Sequence, residues 1–192
     1  MIEPLSVGVQ AVERAKSTGL ISFNTTCVVN GAGPIGIAVL TVLKTMGITN
    51  VILVDGNEKR LNLGKKIGAT ATLNFMDYPS GDALVEKIKE LTGGVGAGFV
   101  FQTTGNAKGF QNAMKFTKRG GGLCEVGFFV ELGEVSIDPH KDICFKEITM
   151  VGSYAYAPQN YPRTIEMIRR AIEIGIPVSE MVTDWYPLEK NR

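Results

Sequence analysis

A single histidine, His140, and three scattered cysteines, Cys27, Cys124 and Cys144, leave this sequence little with which to hold a metal. No two cysteines form the close pair that structural zinc sites favour, and their odd number and wide spacing fit reduced core thiols rather than ligands. Charge of one sign is also lacking. Lys and Arg total 20 against 19 Asp and Glu, so no broad field marks the chain for nucleic acid or for an anionic membrane surface. The longest apolar runs, such as residues 51–54, are strand-sized and far short of a bilayer. The N-terminus lacks the basic and then apolar segments of a secretion signal. These absences leave a small molecule as the expected partner and a reducing, cytoplasmic location as the default.

What the sequence does hold is apolar residues at 44% of 192 positions, enough to build the core of one large domain. From Thr26 onward, short β-branched runs alternate with helical patterns. Strands are expected over residues 27–30, 51–54, 71–74, 98–103, 123–126 and 148–151, giving a mostly parallel, doubly wound six-stranded α/β sheet with helices on both faces. Ile35, Val39, Val42, Leu43 and Met46 form one apolar stripe that Gly47 ends. Leu84, Ile88 and Leu91 form another after Asp82, and Ile165, Ile168 and Ile172 a third after Thr164. Residues 4–16 read as a helix ahead of the sheet, so residues 1–22 are expected to pack on a domain of residues 23–185. Residues 186–192 read as an exit segment leading into a further helix, and both ends look cut rather than finished.

The chemistry is clearest at Gly31-Ala32-Gly33-Pro34-Ile35-Gly36, a G-x-G-x-x-G pattern between an expected strand and an expected helix. Gly31 allows a tight turn, Gly33 lets backbone approach a pyrophosphate, and Gly36 lets helix and strand pack closely. The free N–H groups at the helix start then face the phosphates. With 23 glycines, chance alone supplies about 0.3 such matches in this chain, so the context has to decide. A carboxylate, Asp55, lies 19 residues beyond Gly36 at the end of the second strand, where an acid accepts hydrogen bonds from ribose hydroxyls. That favours NAD, because a 2′-phosphate about 4 Å from this carboxylate would cost ~4 kcal/mol at an effective dielectric near ~20. The competing reading of Asp55 is a cap on the next helix. Arg60, on the first turn of that helix, is within reach of a ribose or of a 2′-phosphate, so NADP stays open.

Alcohol oxidation needs a group that stabilises or removes the hydroxyl proton as hydride leaves, commonly zinc or a His-centred acid and base. His140 sits in a stretch that reads as a surface loop, and no Cys, His and acid residues stand at metal-ligand spacing. No catalytic or metal-binding residue is expected in this chain.

Taken together, these features resemble the cofactor-binding Rossmann domain of the medium-chain zinc-type dehydrogenases, the alcohol, sorbitol and threonine dehydrogenase family. The resemblance is carried by Glu3-Pro4-Leu5-Ser6-Val7, the glycine turn, Val54-Asp55, Thr104-Gly105 and Arg119-Gly120-Gly121-Gly122, the last reading as a turn. Val126-Gly127-Phe128, Lys146-Glu147-Ile148-Thr149-Met150-Val151-Gly152-Ser153-Tyr154 and the run from Val182-Thr183 to Tyr186-Pro187-Leu188-Glu189 continue it. It implies that Pro34 and Ile35 lie under the pyrophosphate and that Asp55, Gly56 and Arg60 surround the adenosine ribose. Thr103, Thr104 and Gly105 would line the adenine side. The main chain at Val126 and Phe128, with Ser153, Tyr154 and Ala155, would meet the nicotinamide. Members of the family resemble one another in an N-terminal catalytic domain that carries the zinc ligands and substrate pocket. Zinc is therefore expected only there, and this chain alone is expected to be catalytically silent. Glu3 is similar to a glutamate that approaches the family's zinc, but alone it cannot hold a metal. The resemblance also implies pairing with that catalytic domain and a homodimer. A stand-alone NAD(P)-binding or redox-sensing module is the alternative, and a flavoprotein or methyltransferase with the same turn is a third reading that the later motifs weigh against.

Overall fold

The computed structural model describes residues 1–187. Its strands are β1 (Cys27–Asn30), β2 (Val51–Asp55), β3 (Ala71–Asn74), β4 (Ala97–Gln102), β5 (Thr117–Glu125) and β6 (Thr149–Gly152). They form one sheet in the order β3-β2-β1-β4-β5-β6, and every pair is parallel. This is the doubly wound order, whose direction of winding reverses between β1 and β4 and opens a crevice at their carboxyl ends. Parallel neighbours need crossovers, supplied by α2 (Pro34–Thr45), α3 (Glu58–Ile67), α4 (Gly81–Glu90) and α5 (Ala107–Phe116). α1 (Ile2–Lys16) precedes the sheet and α6 (Asn160–Glu173) follows it.

The strands read as continuous apolar runs because both sheet faces are covered. Cys27, Val29, Leu53, Phe99, Phe101 and Cys124 point into one core with α1, α2 and α3. Val28, Ile52, Val54, Val100 and Leu123 point into the other with α4 and α5. α2 is buried from Gly36 through Leu43, all round rather than along one stripe, because α1 crosses its outer side. At that crossing a Cβ on Gly8 would stand 2.8 Å from the carbonyl carbon of Ala38.

Several expectations need correction. α6 begins at Asn160, ahead of Thr164, and its buried face carries Thr164 and Ala171, whereas Ile165 and Ile172 are 38% and 62% exposed. The reason is its partner, α1, which it meets through a hydroxyl pair, Ser6 and Thr164 at 2.9 Å, and an amide pair, Asn160 to Gln10 at 2.6 Å. Leu91 lies past the end of α4 and is exposed. The expected turn at residues 119–122 lies inside β5, where the pairing with β4 slips and Gly122 tucks under the Phe99 ring. Cys27 and Cys124 are core thiols, both pushed up to about 12 by burial, but Cys144 is exposed. It ends a helical turn, Pro139–Cys144, that replaces the expected loop and leaves His140 exposed. No described helix is long and apolar enough to cross a membrane. The expected exit helix lies beyond residue 187, outside the described residues.

Candidate functional site

After β1 the chain turns at Gly31, whose φ of 110° is open to glycine and strained for other residues. The Gly31 amide donates to the Val54 carbonyl at 2.8 Å, binding the turn to β2. A side chain on Gly36 would run into the Gly31 carbonyl oxygen, so helix and strand pack as closely here as the pattern requires. Above Gly33 there is no atom within 4 Å of a would-be Cβ. Gly33 precedes α2, Pro34 is its first residue, and its first turn has neither a side-chain cap nor an acid. By contrast, Asn57, Ser80 and Asn106 accept hydrogen bonds from the first amides of α3, α4 and α5. The amides of Ile35 and Gly36 have no carbonyl one turn back to bond, and the positive end of the α2 dipole faces the open space.

Asp55 ends β2 beside this turn. Its Oδ2 accepts from the Ala32 amide at 2.6 Å and its Oδ1 from the Asn57 amide at 2.8 Å. It does not cap α3, because Asn57 does so with its own side-chain oxygen. Gly56 follows with the tip of the Phe75 ring against it, 2.6 Å from where a Cβ would stand. Arg60 is exposed on the first turn of α3, has no ion pair among the described residues, and borders a cavity of about 230 Å³ with Ala32, Gly33, Pro34 and Leu63.

On the other side of the turn, the ends of β4, β5 and β6 continue the same edge. Thr103 donates its hydroxyl to the carbonyls of Asn30 and Gly31 at 3.0 and 3.1 Å, so this side chain is spent on joining β4 to the turn. Gly127 packs on the backbone of Thr104, and Gly105 is close to Leu132. The Ser153 amide donates to the Glu125 carbonyl, while the Ser153 hydroxyl oxygen is buried without a partner among the described residues. Tyr154 is exposed and stacked on Phe129, with ring centroids 5.0 Å apart. Ala155 has a φ of 52°, a strained conformation for a residue with a side chain. Every residue expected at the site thus lies along the carboxyl edge of β2, β1, β4, β5 and β6, an arc of about 19 Å at strand spacing.

Sequence reasoning missed the floor of this crevice. Asn30, Gln102 and Glu125 are register partners on one face of the sheet. The Asn30 side chain donates to the Gln102 side-chain oxygen Oε1 at 3.1 Å and to the Gly109 carbonyl at 2.9 Å, and the Gln102 side chain donates to the Thr104 carbonyl at 2.6 Å. Glu125 accepts from the amides of Gly127 and Phe128, and burial pushes its carboxyl up to about 7 against those two hydrogen bonds. The available signal was a polar residue ending each apolar strand, two of them amides.

Among the described residues no three His, Cys, Asp or Glu stand close enough to hold a metal. Glu3 is exposed on α1, close to Tyr156, whose phenol is pushed up to about 12 by its hydrogen bond with Tyr161, then by burial and the Glu3 charge.

A family model described as zinc-binding dehydrogenase matches residues 34–170. Sorbitol dehydrogenase of Bacillus subtilis is 33% identical over the whole of this chain and 50% of its own length. D-xylulose reductase of Saccharomyces cerevisiae is 35% identical over 88% of this chain and 45% of its own. Among solved structures, an alcohol dehydrogenase of Thermotoga maritima superposes with a TM-score of 0.83 at 26% identity, over 93% of this chain and 47% of its own. The chain thus spans about half the length of the curated relatives it matches.

Proposed function

The chain belongs to the zinc-binding dehydrogenase family, and from that premise we propose that it is the NAD(H)-binding part of an alcohol or polyol dehydrogenase. One observation carries the reading: α2 opens on an uncapped, acid-free first turn with clear space over Gly33, and Asp55 is fixed beside it. Backbone amides and a helix dipole aimed into open space suit a pyrophosphate. In this reading Gly31, Gly33, Pro34, Ile35 and Gly36 form the pyrophosphate cradle. Asp55 and Gly56 take the adenosine ribose, with Thr103, Thr104 and Gly105 on the adenine side. Each Asp55 oxygen spends one lone pair on an amide and keeps acceptor capacity for a ribose hydroxyl.

A carboxylate held there repels a 2′-phosphate, which supports NAD over NADP. Arg60, which has no ion pair among the described residues, is assigned to the adenosine ribose with Asp55 and Gly56. The main chain at Val126 and Phe128, with Ser153, Tyr154 and Ala155, takes the nicotinamide end, where the partnerless Ser153 hydroxyl suits a polar ligand group. The bound nicotinamide supplies hydride transfer. The described residues offer no donor set for zinc, so zinc and the substrate pocket are assigned to a part of the protein outside this chain. The polyol class rests on the sorbitol dehydrogenase and D-xylulose reductase relatives. Alone, the chain binds cofactor without oxidising an alcohol. Calorimetric titration with NADH and NADPH tests this: saturable binding that prefers NADH is the expected result. Absence of binding by either nucleotide, or a preference for NADPH, counts against it.

A further inference from the structure

Asn30 and Gln102 spend their side chains on each other and on nearby backbone, but Glu125, the third member of that row, does something different. Its Oε1 accepts from two successive amides, Gly127 at 2.6 Å and Phe128 at 3.0 Å, and its Oε2 is buried without a partner among the described residues. A side chain that bonds the amides two and three residues on fixes the intervening peptide planes. The rest of this turn is held from both sides. Gly127 is packed on the backbone of Thr104, and the Phe128 ring meets Phe110 of α5 edge-on, with centroids 6.2 Å apart. With the Phe128 side chain committed to α5, the turn has its main chain to offer the crevice.

From these contacts we infer that Glu125 is a positioning residue, setting the main chain of residues 126–128 to receive the nicotinamide carboxamide. It then governs affinity for that half of the cofactor and not for the ADP-ribose half. The inference rests on the NAD(H) reading above. Gln at this position keeps a carbonyl oxygen for both amides, whereas Leu leaves them without an acceptor.

The test is the dissociation constant of the full chain for NADH and for ADP-ribose, measured by calorimetry in wild type, Glu125→Gln and Glu125→Leu. The expected result is that Glu125→Leu weakens NADH about tenfold, as for loss of the acceptor shared by two amides, and leaves ADP-ribose unchanged. Glu125→Gln should recover most of the NADH affinity. Equal weakening of both ligands by Glu125→Leu would mean a merely structural role and overturn the inference, as would unchanged NADH affinity. A second measurement needs no variant: in wild type the Gly127 and Phe128 amide resonances should move with NADH and stay with ADP-ribose. Equal behaviour with both ligands overturns the inference. Failure of wild type to bind either ligand would instead sink the NAD(H) reading itself.

Discussion

The carboxylate of Asp55 accepts a 2.6 Å hydrogen bond from the amide of Ala32, so the end of β2 is tied to the glycine turn that follows β1. The Gly31 amide, donating to the Val54 carbonyl, makes a second tie in the same direction, from turn to strand. An acid at this position therefore both shapes the turn and presents its remaining lone pairs beside it.

Asp55→Ala should weaken NADH binding about tenfold to a hundredfold, because one residue's hydrogen bonds to a ribose diol are lost. Affinity for NADPH should fall less, since removing the charge also removes repulsion of a 2′-phosphate. Parallel titrations of the variant and wild type with both nucleotides decide the point. A variant that retained its full preference for NADH would show that Asp55 does not set specificity.

Two glycines of the same turn should separate folding from binding. Gly36→Ala drives a Cβ into the Gly31 carbonyl oxygen and to 2.9 Å from the Thr103 hydroxyl. Backbone cannot give way as a flexible side chain would, so a loss of about 1–3 kcal/mol in stability is expected. Gly33 has an ordinary φ of −66° and open space around it. Gly33→Ala should therefore melt like wild type yet lose NADH affinity, because the new methyl stands where a phosphate has to approach. Thermal melts paired with calorimetry check both halves, and tight NADH binding by Gly33→Ala would remove the turn from the cofactor site.

How far the sequence could be read depended on what each element packs against. β1 and β2 are apolar runs because both their faces are buried, so pattern alone locates them. α6 misleads because its neighbour is α1 rather than the sheet, and the facing positions on α1 are Ser6 and Gln10. Helical periodicity picks out Ile165 and Ile172, but contact selects Thr164 and Ala171. Gly120 to Gly122 look like a turn, yet the absence of side chains there lets β5 slip in register and pass under Phe99. The glycine turn and Asp55 were legible because their chemistry fixes their spacing. Asn30, Gln102 and Glu125 were not, because only strand register, which a single sequence does not display, brings them into one row.

Gly8→Ala sets two effects against each other. Alanine in a helix interior gains about 1 kcal/mol over glycine from backbone propensity. The new Cβ would lie 2.8 to 3.0 Å from the Ala38 carbonyl carbon, the Ala38 Cβ and the Val39 nitrogen, most of it backbone of the best-buried helix. Overpacking of that kind costs about 1–3 kcal/mol, so a net destabilisation of about 1 kcal/mol is expected. Guanidinium unfolding midpoints measure it. A stabilised variant would mean that α1 can shift off α2 freely.

Stability should also record the environment of Glu125. Burial pushes this carboxyl from an ordinary 4.5 up to about 7 in the folded chain, against the lowering effect of the Phe128 and Gly127 amides. Between those two values the folded state holds a proton that the unfolded state has released, so raising the pH across the interval favours unfolding. Below it both states are protonated at this group and above it both are ionised, so the contribution is flat outside the window. Asp82 and Asp138, which neighbouring lysines and amides hold below the usual carboxylate range, act in the opposite direction as pH falls. They are present in any variant and cancel in a difference. Denaturant midpoints of wild type minus those of Glu125→Gln, measured from about pH 4.5 to beyond about 7, should therefore fall through the window and then level off. A flat difference would mean that the carboxyl ionises as it does in water, and that the turn at residues 126–128 encloses it less than its buried, partnerless oxygen implies.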